Sequence, residues 1–252
     1  MTEGFEFDKI KQLKRAAVHT RTAAYFWEGT AEMRMRRKKH REERLESCSE
    51  YIIGDSGEYL TDIKSVFDTD KPLHIEIGCG KGDFVCGMAR KNPGINYLAF
   101  EKNLDVLVLA AEKIKENRLE NVRFVPGDAE ILKNAETASR AERIYINFCD
   151  PWEKYGHRKR RLTHERFLEI YEKLLTPDGE IHFKTDNAKL FEFSLNSFSD
   201  FGLRLHNITL NLHASGFEGN VMTEYERLFS EKGQPIYRCE ALLYDKNQKS
   251  SL

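Results

Sequence analysis

Long apolar runs are missing from this chain: no stretch approaches the roughly 18 residues that a membrane helix needs, so a membrane-bound protein is not expected. Cysteine is sparse and badly spaced for cross-linking. The five present (Cys48, Cys79, Cys86, Cys149, Cys239) form no C-x-x-C pair, and their odd number argues against a disulfide framework. The eight histidines share no metal-ligand spacing with them, so no metal is expected. The start, Met1 to Asp8, is acidic and leads into no apolar core segment, which excludes a secretory signal there. A large net charge is also absent, at −1 for 252 residues, so the chain is not a generally basic nucleic-acid binder. These absences leave a single cytoplasmic α/β domain with additions as the expectation, monomeric or homodimeric.

What is present is local charge. Seven Lys or Arg residues lie between Arg34 and Arg44, and five lie in the eight positions from Lys154 to Arg161. Basic clusters on a near-neutral protein point to a polyanion held at one place. Solvated surface charge is the plain alternative for either cluster alone. Residues 1–32 read as a helical arm, which sets an expected division into a helical and basic extension over 1–45 and a main domain over 46–252.

From Pro72 onward, strands and helices alternate. Leu73 to Ile77 reads as a strand that ends in Gly78-Cys79-Gly80-Lys81-Gly82, with Asp83 as the cap of the next helix. Further strands are expected at 95–100, 122–125, 143–148 and 180–184. Helices capped by Asn103 and running from His164 to Leu175 fall between them. Past residue 186 the pattern gives a helix near 190–198, a strand near 203–212, a short helix from Thr223 and a last strand at 236–243. Such alternation implies a mostly parallel sheet covered on both faces. Ligands of these sheets bind at the carboxyl ends of the strands. Here those ends carry the glycine loop with Glu101, Asp128, Asp150 and Asp186.

The dinucleotide pattern G-x-G-x-x-G fails because residue 83 is Asp, and no G-K-[ST] marks a phosphate loop. Glu76 beside the glycines would repel a pyrophosphate but suits a cationic ligand. S-adenosylmethionine carries an ammonium and a sulfonium. Glu101, about 20 residues past the glycines, has the spacing of a ribose-binding acid. Asp128 is placed to reach an adenine amino group, and Asp150 lies where methyl donor and acceptor would meet.

Five blocks carry a family resemblance: Glu76 to Gly82, Glu101, Asn147 to Leu162 (reading N-F-C-D-P-W-E-K-Y-G-H-R-K-R-R-L), His182 to Asp186, and T-E-Y-E at 223–226 with G-Q-P-I at 233–236. The chain resembles the bacterial tRNA (guanine-N7)-methyltransferases over roughly residues 33–245. That resemblance implies a Rossmann-like class I methyltransferase fold, with a seven-stranded, mostly parallel sheet whose last strand is antiparallel. It implies methyl transfer from S-adenosylmethionine to N7 of a variable-loop guanosine, position 46, in tRNA. The implied cofactor residues are Glu76, Gly78, Gly80, Glu101, Asp128 and Asp150, with Asp150 also catalytic. Lys154, Asp186, Thr223, Glu224, Tyr225 and Glu226 match substrate-side positions, and Gly156, His157, Arg158, Lys159, Arg160 and Arg161 match the RNA-contact segment. Glu153 stands where this family usually has Pro, and Tyr155-Gly156 replaces a commonly basic pair. Thr223 and Glu226 also have the spacing of a helix capping box.

Three rival functions remain open on the residues alone. An exocyclic-amine methyltransferase would need a second Pro in the Asp150-Pro151-Trp152 motif. A silent RNA-binding protein would have no use for the four acids. A small-molecule methyltransferase would have no use for Arg158 to Arg161.

Overall fold

The glycine-flanked apolar segment at 73–77 is the central strand of the protein. The structure, a computed structural model, describes residues 38–54, 62–135 and 140–243. The arm expected over 1–32 lies outside the described residues. Strands β1 (Leu73–Ile77), β2 (Asn96–Glu101), β3 (Val122–Pro126), β4 (Ala141–Asn147), β5 (Leu175–Thr185), β6 (Arg204–Thr209) and β7 (Tyr237–Leu242) form one sheet in the order β3-β2-β1-β4-β5-β7-β6. β1 pairs in parallel with β2 and β4, and β7 runs antiparallel to β5 and β6. The chain order reverses direction between β1 and β4, which opens a crevice at their carboxyl ends.

Alternation along the strands separates two cores. Leu73, Ile75, Ile77, Phe100, Ile146 and Phe183 pack on one face, against α4 (Glu165–Leu174) and α5 (Ala188–Phe201). Tyr97, Ala99, Phe124 and Tyr145 face the other way, toward α2 (Asp83–Lys91) and α3 (Leu104–Glu116). On α3 the spacing Leu107, Val108, Ala111, Ile114 puts four fully buried side chains on one stripe. Burial of each larger aliphatic contributes about 1.5–3 kcal/mol.

Helix starts follow local chemistry. Asn103 accepts a hydrogen bond from the Asp105 amide at 3.0 Å, Asn187 from Leu190 at 2.9 Å, and Thr223 from Glu226 at 2.8 Å. One expected cap is corrected. Gly82, with φ +76°, occupies the cap position of α2, and Asp83 is its first helical residue. The Asp83 carboxylate instead receives Lys113 Nζ at 2.6 Å. A second correction concerns the fifth strand, expected at 180–184: it begins at Leu175 and takes in the segment Pro177-Asp178-Gly179. The segment is an irregular excursion within β5, whose pairing with β4 shifts between Ala141↔Leu175 and Arg143↔Glu180.

Before the sheet, α1 (Arg41–Ser47) lies against α3. Arg44 donates from Nε and Nη2 to the two oxygens of Glu112, both at 2.6 Å, and Arg41 pairs with Asp105 at 3.4 Å. Two cations of the first basic run are thus turned onto the domain, and the expected division at residue 45 falls inside this helix. Among the described residues no helix is long and apolar enough to cross a membrane.

Gly82 is where loop and helix meet most tightly. A Cβ there would lie 2.9 Å from Ala110 Cβ and 3.2 Å from Ala110 Cα, on a backbone that side chains rarely adopt. Gly82→Ala should therefore lower stability by about 1–3 kcal/mol, read as a shift in the denaturant midpoint. A change below about 0.5 kcal/mol, the scale of an innocuous surface change, would show that the loop relaxes freely.

Candidate active site

Period-two alternation sends Glu76 away from the Ile75 and Ile77 core. It ends buried, 2% exposed, at the carboxyl end of β1. Asn147, two residues beyond its cross-strand neighbour Tyr145, faces the same way and donates Nδ2–H to Glu76 Oε1 at 3.0 Å. The other oxygen, Oε2, is buried and has no hydrogen-bond partner among the described residues. Burial pushes this carboxyl up to about 7, and the Asn147 bond and the Lys184 charge only partly oppose it. A buried acceptor left unmade costs about 1–3 kcal/mol, and a cationic donor is the group that would relieve it.

Glu101 braces the glycine loop. Its Oε2 accepts from the Gly80 amide at 3.0 Å and its Oε1 from Asn103 at 2.8 Å, while the Gly78 and Cys79 amides both bond Phe100 O. Gly78 and Gly80 have φ +77° and +56°, and a Cβ at either would meet no atom within 4 Å. The loop therefore presents bare backbone to open space, as close approach by a ligand requires. Asp128 follows β3 and accepts from the Glu130 amide at 2.9 Å, which starts the 3-10 helix Ala129–Asn134.

Asp150 stands between two non-glycine residues with positive φ, Phe148 (53°) and Trp152 (43°). Such conformations cost about 1–3 kcal/mol each and persist only where surroundings impose them. The constraints are visible: Phe148 N donates to Lys184 O at 2.9 Å, and Arg161 donates to Pro151 O at 2.9 Å and Trp152 O at 3.3 Å. Lys102 Nζ lies 3.6 Å from Asp150 Oδ2. Gly78, Glu101, Asp128, Phe148, Asp150 and Trp152 line one hollow of about 560 Å³, a size suited to a small organic ligand. Three of the four expected acids share its wall, and Asn147, also on the wall, bonds the fourth, Glu76.

The substrate-side residues divide. Asp186 is half-buried after β5, and Tyr225 donates its hydroxyl to Asp186 Oδ2 at 3.4 Å. Asn187, not Asp186, caps α5. The Tyr225 ring lies 5.2 Å from Phe148, which carries this pair to the edge of the hollow. Thr223 caps α6 (Glu224–Glu231), and Glu224 pairs with Lys81 of the glycine loop at 2.6 Å. Glu226 is fully buried. Its Oε2 accepts from Lys184 Nζ at 2.7 Å and its Oε1 from Asn220 Nδ2 at 2.6 Å, so the carboxylate does not return to complete a capping box.

In the basic run, Lys154 caps the 3-10 helix Tyr155–Arg160, where Gly156, Arg158, Lys159 and Arg160 are exposed and His157 is half-buried against Trp152. Arg160 also lines the hollow. Arg161 turns inward onto the loop carbonyls, with its guanidinium 4.4 Å from the Phe193 ring. Asn147, Lys184 and Lys102 are functional candidates that sequence reasoning left unassigned. Position on a strand end facing Glu76 was the signal for the first two.

Glu76 titrates higher when folded than its ordinary value near 4.5. Stability from this group is fully present below about 4.5 and lost as pH rises through about 7. Glu76→Gln, which keeps an acceptor for Asn147, should therefore stabilise the cofactor-free protein by about 2 kcal/mol more at pH 8 than at pH 5. Denaturant unfolding at the two pH values measures this, and an equal effect at both would show an unshifted carboxyl.

Residues 70–239 match the family model described as "Putative methyltransferase". A tRNA (guanine-N(7)-)-methyltransferase of Geobacillus sp. (strain WCH70) is 50% identical over 220 residues, 87% of this chain and 100% of that protein. The tRNA (guanine-N(7)-)-methyltransferase of Bacillus subtilis (strain 168) is 47% identical over 208 residues, 82% and 98% of the two chains. Among solved structures, a 16S rRNA methyltransferase, KamB, matches in fold with TM-score 0.54 at 13% identity, covering 73% of this chain and 91% of its own. An antibiotic-related methyltransferase matches with TM-score 0.52 at 21% identity, covering 75% and 94%. With a sheet order, a strand-end hollow and a sequence match over more than four-fifths of the chain that agree, the chain belongs to the tRNA (guanine-N7)-methyltransferase family.

Proposed function

We propose that this protein methylates N7 of a guanine in tRNA with S-adenosylmethionine as cofactor, and that the variable-loop guanosine at position 46 is the target. The observation that carries the reading is the buried, half-satisfied Glu76 beside a hollow walled by Glu101, Asp128 and Asp150. When bound there, S-adenosylmethionine supplies an electrophilic methyl on a positively charged sulfur.

The chain's own residues then have distinct tasks. Glu76 accepts from an ammonium and is held in register by Asn147. Glu101 accepts from ribose hydroxyls with the lone pairs left over from Gly80 and Asn103. Asp128 faces an adenine amino group. N7 of guanine has a free lone pair, so no base has to remove a proton, and rate comes from orientation and electrostatics. The ring gains positive charge as the new bond forms, and Asp150, held between two strained residues, is the carboxylate that stabilises it.

Asp186 and Tyr225 are placed to read guanine donors. Glu226, enclosed by Lys184, Asn220 and His213, acts through them by positioning the 220–226 segment. Lys154 and the exposed Arg158, Lys159 and Arg160 bind phosphates, which gives affinity without base specificity. We also place the start of the globular unit at or before residue 38, because the Lys38 amide and Arg41 both bond Asp105 on α3.

The test is methyl transfer from labelled cofactor to unmodified tRNA, followed by chemical strand scission at N7-methylated guanine. The expected cut is a single one in the variable loop, and label without scission would move the methyl to another atom. In the same assay Asp150→Ala should lower turnover by at least about 100-fold, with tRNA affinity within a few-fold of the parent. Normal turnover by this variant would remove Asp150 from the chemistry.

A further inference from the structure

Tyr155 lies outside every contact assigned above, and its surroundings are unusual. The side chain is 78% exposed, well above Leu210 at 64% and the other exposed large apolar groups of the described residues. Its ring nonetheless has a close neighbour. The Arg158 guanidinium carbon lies 4.5 Å from the ring centroid, and Arg158 Nη1 donates to the Tyr155 hydroxyl at 2.7 Å. A second unit of the same kind sits in the same segment, with the Arg160 guanidinium 4.9 Å from the Trp152 ring. Trp152 and Arg160 both line the hollow that contains Asp150.

An exposed aromatic ring clamped by an arginine is an ordered flat surface facing water. Rings of this kind hold nucleobases, because every base has a π face and stacking needs no particular hydrogen-bond pattern. Arg158 uses one of its five N–H donors on the Tyr155 hydroxyl, and the remainder suit a neighbouring phosphate. Tyr and Arg also anchor protein interfaces, but an interface anchor is normally ringed by apolar contacts. Tyr155 is flanked instead by Lys154, Arg158, Lys159 and Arg160. That charge selects a polyanion.

We propose that Tyr155, held by Arg158, is a stacking platform for one unstacked base of the bound tRNA at the rim of the active-site hollow. The proposal rests on the tRNA reading above and adds a contact of a different physical kind to its phosphate contacts.

The two kinds of contact respond differently to salt. Lost phosphate contacts flatten the fall of log K with log salt by about 0.7–0.9 per contact, whereas a lost stack lowers affinity at every salt concentration. Binding of unmodified tRNA by the full-length protein is measured from low to high salt for Tyr155→Ala, Tyr155→Phe and Arg158→Ala, with cofactor affinity as the check on folding. Tyr155→Ala should weaken binding by about 5- to 100-fold with an unchanged slope. Tyr155→Phe should stay within about 3-fold, since the face alone is worth most of the alanine effect. Arg158→Ala should flatten the slope. Binding by Tyr155→Ala within twofold of the parent overturns the platform. A Tyr155→Phe loss equal to that of Tyr155→Ala also overturns it, by assigning the effect to the hydroxyl. If the parent protein itself fails to methylate N7 of tRNA guanine, the underlying reading falls; if it does so and Tyr155→Ala binds normally, only the platform falls.

Discussion

Glu76 lies near the end of the central strand with one oxygen bonded to Asn147 and the other buried without a donor among the described residues, where burial, only partly opposed by Asn147 and Lys184, lifts its titration to about 7. The rest of the site can be derived from that placement. A carboxyl kept partly protonated is a poor anion until a cation arrives, and its neighbours are arranged so that one can. The glycines of the following loop leave backbone and no side chain above it, and Glu101 holds that loop by its Gly80 amide. On the proposed reading, cofactor binding and ionisation of Glu76 are one event. A positively charged ligand favours the charged carboxylate, and the charged carboxylate favours the ligand.

One buried ammonium links this floor to the acceptor side. Lys184 has three N–H donors, and all three are used, on Glu226 Oε2 at 2.7 Å, Asn220 Oδ1 at 3.1 Å and Val221 O at 3.2 Å. Its own backbone carbonyl receives the amide of Phe148, the first strained residue before Asp150. Burial pulls the Lys184 ammonium below its usual range, and the charges of Glu226 and Glu76 work to restore it. A buried pair of this kind adds little net stability but is costly to break, about 3–5 kcal/mol when one partner is removed. Its value lies in geometry. The same residue sets the D-P-W loop through its backbone and the T-E-Y-E segment through its side chain, so the two segments cannot shift independently.

Much of this was legible in sequence, and the parts that were not have a common cause. Strand positions, the side-chain caps at Asn103 and Thr223, and the acids at strand ends depend on chemistry within a few residues, which a linear reading samples directly. Gly82 as the cap of α2 was missed because the side-chain rule favours Asp83; the deciding contact is with Ala110, 28 residues away. Glu226 has the spacing of a capping box, but its carboxylate answers to Lys184 and His213, neighbours only because β5 and the 212–214 turn converge. Arg161 looked like the end of an RNA-contact run. Its inward turn depends on carbonyls exposed by the positive φ at Trp152, a conformation that no residue type at that position announces.

The two basic runs make the same point about charge. A chain with net charge −1 cannot hold a polyanion by its overall field; it has to leave a few cations uncompensated at one place. Arg41 and Arg44 of the first run pair with carboxylates of α3, and Arg161 of the second closes onto backbone. The cations of the second run left at the surface are Lys154, Arg158, Lys159 and Arg160, and two of these lie against aromatic rings. An arginine on a ring keeps its full charge while losing side-chain freedom in advance of binding. The cationic cluster is therefore small and set beside Asp150, and on the proposed reading its attraction for phosphate delivers the nucleic acid to the reacting atoms. Without that local excess, the acids proposed to hold a cationic cofactor would repel the substrate that must come next to it.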